Sequence, residues 1–366
     1  MHLRIAQLAP PFESVPPLAY GGTERVVSTL TEELVRRGHD VTLFASGDSC
    51  TSARLVPVVG RALWHLDPPC NDFATHQADI FEMILDRIDQ FDVVHSHLDY
   101  LGFPLALAPQ HPMVSTLHGR LDAPELYATY RAFADLPLVS ISHAQRRPLA
   151  TANWQATIHH GIDLGQFTFN PRPGRYLAFL GRISPEKGLD IAIRIARRAG
   201  VPLLVAARPP LPFDHSPEVR RDRAYFEQVV QPLLSGPGVE LIGEVGGPQK
   251  DQFLRNAAAL LFPIRWPEPF GLVMPEALAC GTPVLAFREG SVPEVIEDGI
   301  TGILGHVEDD LVRAVERIPE LDRRRCRAEA ERRFSPAAMA DAYEGVYAGL
   351  LERSWAPELP VYAERY

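Results

Sequence analysis

Two glutamates between Arg265 and Pro283 are the residues whose type and spacing most clearly suggest chemistry. Glu268 lies in a proline-rich loop after an apolar run, and Glu276 follows Pro275 at the start of a predicted helix. A carboxylate in either place can accept hydrogen bonds from the vicinal hydroxyls of a sugar or a ribose. An acid in the first turn of a helix also interacts favourably with the helix dipole, by about 0.3–1 kcal/mol. From the pattern alone, a helix-stabilising role is the stronger interpretation of Glu276, and a ligand-binding role is the alternative.

Backbone N–H groups between the two glutamates could complete such a site. Phe270, Gly271 and Leu272 follow Glu268 directly and offer donors to the same ligand. The segment is therefore the most informative one in the chain, and it favours a polyhydroxylated ligand.

Two other segments could bind a phosphate group. Arg182 and Lys187 bracket a loop between a predicted strand and a predicted helix, where a guanidinium and an ammonium can hold a diphosphate. Gly21 and Gly22 open the first predicted helix, so an anion could approach its N-terminal N–H groups. A solvated charged loop and a turn capped by Thr23 are the structural alternatives. The glycine pair is not a Gly-x-Gly-x-x-Gly fingerprint, which weakens a dinucleotide oxidoreductase interpretation.

Three histidines lie in or directly after predicted strands. His118 comes after one strand, and a lone histidine in that position is more often structural than functional. His95 and His97 are spaced to share one strand face, as two metal ligands would be. Since no cysteine or carboxylate accompanies them at ligand spacing, we predict no metal site.

The elements that must position these residues form an alternating series. Short apolar runs alternate with amphipathic helical patterns, which predicts βαβ units around parallel sheets. The first helix is predicted at Thr23–Arg37 with Gly38 as its end, and the first helix of the second series at Gly188–Arg198, ending at Gly200. The predicted strands are Leu3–Leu8, Val41–Ala45, Val93–His97, Met113–Leu117 and Leu138–Ser142, then Tyr176–Leu180, Leu203–Ala206, Val239–Ile242, Leu260–Pro263 and Val284–Phe287.

A chain of 366 residues is long enough for two domains. The proline- and glycine-containing segment 169–174 separates the two series, so the sequence predicts domains at 1–169 and 170–335. A helix over Pro336–Leu351 and a tail complete the region 336–366, which could cross back to the first domain. Ligands bind beyond the carboxyl ends of strands in doubly wound sheets, so we expect the site in a cleft between the two domains.

Composition excludes several functional classes. The formal net charge of −10 disfavours non-specific binding to nucleic acid or anionic membranes, although a local basic cleft for a phosphorylated ligand stays compatible with it. Four scattered cysteines without a Cys-x-x-Cys pair indicate a reducing compartment. No apolar run approaches about 18 residues, so no membrane span is expected. The start of the chain suits a buried strand better than a signal peptide, and we predict a cytoplasmic protein.

The motif Glu268-x7-Glu276 with the following Ala-Leu-Ala-Cys-Gly-Thr-Pro-Val resembles glycosyltransferase family 4, a family of retaining enzymes with the GT-B fold. The resemblance covers nearly the whole chain through further motifs at Gly21-Gly22-Thr23-Glu24, His160-Gly161-Ile162-Asp163, Gly181-Arg182-x4-Lys187-Gly188 and Gly290-Ser291-Val292-Pro293-Glu294-Val295. It implies an α/β protein of GT-B type, with two Rossmann-like doubly wound parallel-sheet domains facing a cleft. The N-terminal domain would face the acceptor and the C-terminal domain the donor.

The resemblance also implies an activity. Such an enzyme moves a sugar from a nucleotide-sugar donor, for which we favour a UDP-sugar, to a hydroxyl of a sugar, a lipid-linked or a small-molecule acceptor. The nucleotide sugar is a substrate, so no cofactor is expected, and no metal is expected either. Two alternatives stay open: a sugar-nucleotide epimerase on a GT-B-like fold, and a catalytically silent protein that binds a sugar or a nucleotide.

Site roles follow from the resemblance position by position. Arg182 and Lys187 match the basic pair at the donor diphosphate. Glu276 matches the carboxylate that holds the ribose, and Glu268 matches the acid near the donor sugar. Phe270, Gly271 and Leu272 match the backbone along the donor sugar. Gly21 and Gly22 match the loop that approaches the phosphates, and His118 matches a histidine near the reaction centre.

One segment departs from the family pattern. After the strand Leu203–Ala206 the family often has a glycine near the nucleotide, whereas this chain has Ala207-Arg208-Pro209-Pro210. The donor base and sugar are therefore left open by the sequence.

Overall fold

The computed structural model describes residues 2–18, 21–70, 72–108, 111–207, 209–210 and 216–352. Arg208 and the tail beyond residue 352, both considered above, lie outside these ranges. The contacts divide the chain into two compact units: the first comprises residues up to Ile141, Leu149–Ile158 and the chain from Ala340, and the second comprises Ser142–Pro148 and His159–Met339.

The chain enters the second unit at residue 159, before the boundary predicted at 169–170. Backbone hydrogen bonds account for this: Ile162 N–H donates to the Phe334 carbonyl (2.8 Å), and Thr168 N–H donates to Asp251 (2.7 Å). Glu294 similarly holds residues 142–148 in the second unit, because its carboxylate accepts the backbone N–H groups of His143 and Ala144, each at 2.7 Å.

A seven-stranded parallel sheet forms the centre of the first unit. Its strands are β1 (Arg4–Leu8), β2 (Asp40–Ser46), β3 (Arg54–Val59), β4 (Val93–Ser96), β5 (Met113–Thr116), β6 (Leu138–Ser140) and β7 (Trp154–Thr157). They lie in the order β3-β2-β1-β4-β5-β6-β7, with Ile5 opposite both Val41 and Val93. The order reverses between β1 and β4, which makes their carboxyl ends the expected ligand position of this sheet.

Within the described residues, three helices lie wholly in the first unit: α1 (Gly22–Arg36), α2 (Ala74–Leu85) and α3 (Tyr127–Ala132). Val26, Leu30 and Leu34 of α1 are buried on one face, and Gly38 (φ +88°) follows its end.

The second unit contains a six-stranded parallel sheet. Its strands are β8 (Leu177–Leu180), β9 (Leu203–Ala206), β10 (Val239–Gly243), β11 (Ala259–Phe262), β12 (Val284–Phe287) and β13 (Gly302–Gly305). They lie in the order β10-β9-β8-β11-β12-β13, so β8 and β11 are neighbours at the point where the order reverses. The segments that follow these two strands are therefore brought together.

Nine helices of the second unit surround this sheet in the described ranges: α4 (His143–Arg146), α5 (Leu189–Ala199), α6 (Pro217–Tyr225), α7 (Gln231–Leu234), α8 (Gly247–Arg255), α9 (Val273–Ala279), α10 (Val292–Val295), α11 (Glu308–Glu316) and α12 (Arg323–Arg333). A π-helical turn, Phe226–Val230, joins α6 to α7. The last helix, α13 (Pro336–Glu352), begins in the second unit and belongs to the first from Ala340. Short 3₁₀ segments occur at Leu63–His65, Ile88–Gln90, Asp99–Leu107, Pro124–Leu126, Arg147–Leu149, Leu164–Gln166, Pro185–Lys187 and Ile318–Glu320.

The sequence did not predict β3, β7 and β13, all of which lie at sheet edges. β3 and β7 are only partly covered, so they lack the continuous apolar run of a buried parallel strand, whereas β13 is buried but only four residues long. β3 contains Pro57, β7 is half-buried throughout, and β13 begins and ends with glycine.

Candidate active site

The loop that follows β8 carries Arg182 and Lys187, as the sequence predicted. It packs against the segment after β11, where Arg265 N–H donates to the Glu186 carbonyl at 2.8 Å. Gly188 (φ +71°) permits this approach, because a Cβ there would overlap with the Pro263 carbonyl. The two segments at the reversal point of the second sheet are thus joined through their backbones.

Arg182 is surrounded by acids. Its guanidinium donates to Glu186 (2.6 Å) and to Glu218 (2.5 Å) and lies 3.6 Å from the carboxylate of Asp222. Burial opposes the charge, but these carboxylates raise the pKa of Arg182 above its usual value. Glu218 and Asp222 lie on α6, and nothing in the sequence indicated that they would meet this arginine.

Lys187 pairs directly with Glu268. Its ammonium donates to Glu268 Oε2, and Trp266 Nε1 donates to the same oxygen at 2.8 Å. The Lys187 ammonium also lies 5.2 Å from the Trp266 ring centroid, which is a favourable position for a cation. Both partners are largely covered, with side-chain exposures of 19% for Lys187 and 11% for Glu268. The basic loop and the first acid of the motif therefore form one charged cluster.

Glu276 has a different partner. It lies in the first part of α9, where Pro275 is tolerated because the first N–H groups of a helix have no intrahelical acceptor. The ammonium of Lys250, on α8, donates to Glu276 Oε1 at 2.5 Å, and both side chains are almost fully buried. Sequence reasoning missed Lys250, because a lysine in an amphipathic helix carries no motif.

The backbone between the two glutamates is held from two sides. Phe270 is buried, and its ring lies 4.8 Å from His160 and 6.0 Å from Phe334 between ring centroids. Ser291 N–H donates to the Glu268 carbonyl (3.0 Å), and Ser291 Oγ donates to the Phe270 carbonyl (2.8 Å).

Glycines shape both ends of this arrangement. Gly271 has φ +77° and precedes Leu272, the residue before α9. Gly290 has φ +54°, and a Cβ there would overlap with the backbone of Glu268. The Gly290-Ser291 motif therefore shapes the loop that carries Glu268.

His118 belongs to the first unit and lies in a chain of hydrogen bonds. Its Nε2 lies 2.9 Å from His97 Nδ1, and His97 Nε2 lies 2.8 Å from Gln7 Oε1. Because Gln7 presents its carbonyl oxygen, His97 donates from Nε2 and accepts from His118 at Nδ1. Burial lowers the pKa of His118 to about 3, so its imidazole is neutral at pH 7. In this tautomer Nδ1 of His118 is an acceptor, so the imidazole can accept a hydrogen bond from a substrate but offers it neither a proton nor a positive charge.

His95 continues the same network. Its Nδ1 lies 2.8 Å from Tyr347 Oη and its Nε2 lies 2.7 Å from Thr116 Oγ1. The nitrogens of His95 and His97 thus face protein groups. Within the described ranges, no three histidine, cysteine, aspartate or glutamate side chains are grouped as a metal site would require.

Gly21 and Gly22 stand at the start of α1, as expected. Gly21 has φ +155°, and a Cβ there would lie 2.6 Å from Pro17 Cβ, so the loop is closely packed. Gly22 is the first helical residue. Glu24 follows within the first turn and is buried, so the end of this helix is less positive than its glycines alone suggested.

The predicted residues thus divide between the two units. In the second unit, Lys187 contacts Glu268, Arg182 lies on the same loop as Lys187, and Glu276 pairs with Lys250. Gly21, Gly22 and His118 lie in the first unit. Trp266 was missed, although its place two residues before Glu268 was a usable signal.

Two family models match adjacent parts of the chain. Residues 20–166 match the model described as Glycosyltransferase Family 4, and residues 166–338 match that described as Glycosyl transferases group 1. Together they take in both units, including every candidate residue named above.

Individual proteins are similar along most of the chain. The D-inositol 3-phosphate glycosyltransferase of Mycolicibacterium smegmatis is 29% identical, over 89% of this chain and 86% of that protein. A glycosyltransferase of avilamycin A biosynthesis is 26% identical with a TM-score of 0.71, over 96% and 98% of the two chains. Anabaena HepE, solved in complex with UDP-glucose, is 17% identical with a TM-score of 0.70, over 95% and 100%. No helix in the described ranges is long and apolar enough to cross a membrane.

Proposed function

The chain belongs to glycosyltransferase family 4 and has the GT-B fold, and from this premise we propose that it is a retaining hexosyltransferase with a UDP-sugar donor and a hydroxyl acceptor. The observation that carries the proposal is the charged cluster of Arg182, Lys187 and Glu268 at the reversal point of the second sheet. The likeness to a protein solved with UDP-glucose supports the choice of donor.

Donor binding would exchange the partners of Lys187. In the present arrangement Glu268 neutralises the ammonium. A bound diphosphate offers Lys187 a stronger anionic partner, and Glu268 is then released to accept hydrogen bonds from hydroxyls of the donor sugar. Arg182 would exchange Glu218, whose side chain is 56% exposed, for a phosphate oxygen.

Glu276 would bind the ribose. Lys250 balances the buried charge of Glu276 through Oε1, which leaves Oε2 to accept the ribose hydroxyls. The backbone from Phe270 to Leu272 would run along the donor sugar, and the loop of Gly21 and Gly22 would approach the phosphates.

Cleavage of the donor develops negative charge on the departing diphosphate. Arg182 and Lys187 would stabilise that charge in place, a contribution often worth several kcal/mol at a reacting centre, and so the reaction would need no metal ion. For retention, the acceptor hydroxyl arrives on the face that the diphosphate leaves, with a phosphate oxygen taking its proton. The neutral imidazole of His118 would accept a hydrogen bond at Nδ1 near the reacting carbon.

Proton NMR of the full chain with UDP-, ADP- and GDP-sugars and a panel of hydroxyl acceptors, with and without a chelator, tests the proposal. We expect free UDP and a product whose anomeric configuration matches that of the donor, at a rate that the chelator does not change. An epimerised donor would indicate an isomerase, and binding without turnover a silent protein. An inverted product would refute retention, and loss of turnover with the chelator would refute metal independence.

A further inference from the structure

A cavity of about 210 Å³ opens at the carboxyl ends of β1 and β4, where the strand order of the first sheet reverses. Its lining includes the apolar side chains of Phe12, Phe73 and Leu98 and the polar side chains of Thr23, Glu24, His97 and Asp99. All residues that line it belong to the first unit. Its size admits a single small ring, and its position is the one where doubly wound sheets bind ligands.

Glu24 is the unusual feature of this cavity. The residue is 6% exposed, and in the described part of the chain its carboxylate accepts no hydrogen bond from another residue and forms no ion pair. Burial raises the pKa of Glu24 to about 7, with a smaller contribution from Glu13.

A purely structural role explains Glu24 poorly. An acid that stabilised the helix dipole would have a lowered pKa, whereas the pKa of Glu24 is raised. The one hydrogen bond that acts on the Glu24 carboxylate comes from its own backbone N–H in the described part of the chain, so its burial costs folding free energy that hydrogen-bond donors from a ligand would offset.

Asp99 adds a second carboxylate to the lining of the cavity. Its Oδ1 accepts the backbone N–H of His118 at 2.7 Å, and its backbone has φ +48°, an uncommon conformation for a residue with a side chain. The cavity is thereby linked to the loop of His118. Among the described residues, no lysine or arginine lines the cavity.

These observations define a ligand class. Two carboxylates accept hydrogen bonds from hydroxyls, and when they are ionised, with no lysine or arginine among the described lining residues, they repel a phosphate. We propose that this cavity binds one uncharged, hydroxyl-rich ring of the acceptor, with Glu24 accepting hydrogen bonds from adjacent hydroxyls, and that it rejects a phosphorylated ring. The proposal rests on the proposed function, because only that function makes the bound ring part of an acceptor. It predicts that this chain does not share the substrate for which the Mycolicibacterium smegmatis relative is named.

Titration of the full chain, without donor, with two matched pairs of probes tests the proposal: myo-inositol against myo-inositol 3-phosphate, and glucose against glucose 6-phosphate. We expect at least one neutral ring to bind at least about tenfold more tightly than its phosphate. Glu24→Gln keeps the shape but removes the charge, so it should reduce that preference to about threefold or less. Asp40→Asn, an exposed acid at the opposite end of β2, should leave the preference unchanged.

Leu101→Trp provides a second variant, because it fills the cavity from a half-buried position. It should abolish binding of the neutral ring without changing the affinity for UDP, measured separately. If the wild type did not bind UDP, that result would count against the proposed function and not against the proposed ligand of the cavity. Equal or tighter binding of the phosphates, no binding of either neutral ring, or an unchanged preference in Glu24→Gln would overturn the inference.

Discussion

Lys187 holds its ammonium against Glu268 and over Trp266, and its loss should act on the reaction more than on folding. We expect Lys187→Ala to lower the rate of UDP release by about 10²- to 10³-fold, as loss of one preorganised charge at a reacting centre typically does. Single-turnover kinetics with UDP-glucose measure this effect. Arg198→Ala is the matched control, because it removes an exposed arginine paired with Asp309 in the same unit. Equal rates for wild type and Lys187→Ala would exclude the diphosphate role.

His95 provides a prediction about pH. Burial, with a smaller effect of His118, lowers its pKa to about 3, whereas an unfolded histidine has a pKa near 6.5. Between these values the unfolded chain binds more protons, so stability is full above pH 6.5 and falls as the pH drops. Between pH 7 and pH 5, protonation of His95 in the unfolded chain should lower the free energy of unfolding by roughly 2 kcal/mol. The decrease in His95→Gln over the same range should be smaller by that amount.

Urea denaturation at both pH values, compared between wild type and His95→Gln, measures this difference. The comparison between variants is needed because Glu24 acts in the opposite direction. The pKa of Glu24 is raised to about 7, so its contribution to stability is lost as the pH rises through that value. Identical pH dependence in the two proteins would contradict the neutral, buried state of His95.

At the residue scale, sequence reasoning identified candidate groups better than their partners. The contact between Lys187 and Glu268 joins positions 81 residues apart, and the one between Lys250 and Glu276 joins two helices. Spacing along the chain carries no information on such pairs, because the order of strands in the sheet brings them together.

At the scale of elements, the turn at Gly290 should control the loop of Glu268. A Cβ at this position meets the backbone of Glu268, so Gly290→Ala combines the cost of a positive φ with a steric displacement of the loop. We expect turnover to fall at least tenfold and stability to fall by about 1–3 kcal/mol. Thermal denaturation and initial rates with UDP-glucose measure the two effects.

Gly299→Ala separates the two causes. Gly299 also has a positive φ (+79°), but a Cβ there would have no neighbour within 4 Å. The Gly299→Ala variant should therefore be less stable than the wild type but keep the same turnover. If Gly290→Ala behaved in the same way as Gly299→Ala, the loop contact would have no functional importance.

Elements with strong patterns were predicted well. α1 and α5 begin and end within one residue of the predicted bounds, because each buries a regular apolar face and ends at a glycine. The edge strands β3, β7 and β13 were missed, because their residues are only partly covered or include proline and glycine.

At the scale of the whole molecule, the sequence predicted two parallel-sheet α/β domains and a C-terminal helix that could cross back to the first, but it did not predict that residues 142–148 and 159–169 belong to the second unit. Residues 142–148 join the second unit through Glu294, and Tyr343 and Tyr347 of α13 are buried in the first unit. Tyr347 bonds to His95 and Tyr343 to Thr116. These contacts join residues that are more than 150 positions apart in the chain, and the contact of residues 142–148 depends on one carboxylate. No local sequence pattern predicts such contacts.

Calorimetric titration of UDP into wild type, Glu276→Gln and Glu268→Gln tests the central claim, that the second unit binds a nucleotide-sugar donor. Glu276→Gln should weaken UDP binding by about tenfold or more, since hydrogen bonds to a charged group contribute about 1.5–3 kcal/mol. Glu268→Gln should not weaken it, because it removes a competitor for Lys187, yet it should depress transfer from UDP-glucose. Glu240→Gln, an exposed acid in the same unit, serves as the control. Loss of UDP binding in Glu268→Gln with unchanged binding in Glu276→Gln would contradict the assigned roles, and absence of UDP binding by the wild type would contradict the claim itself.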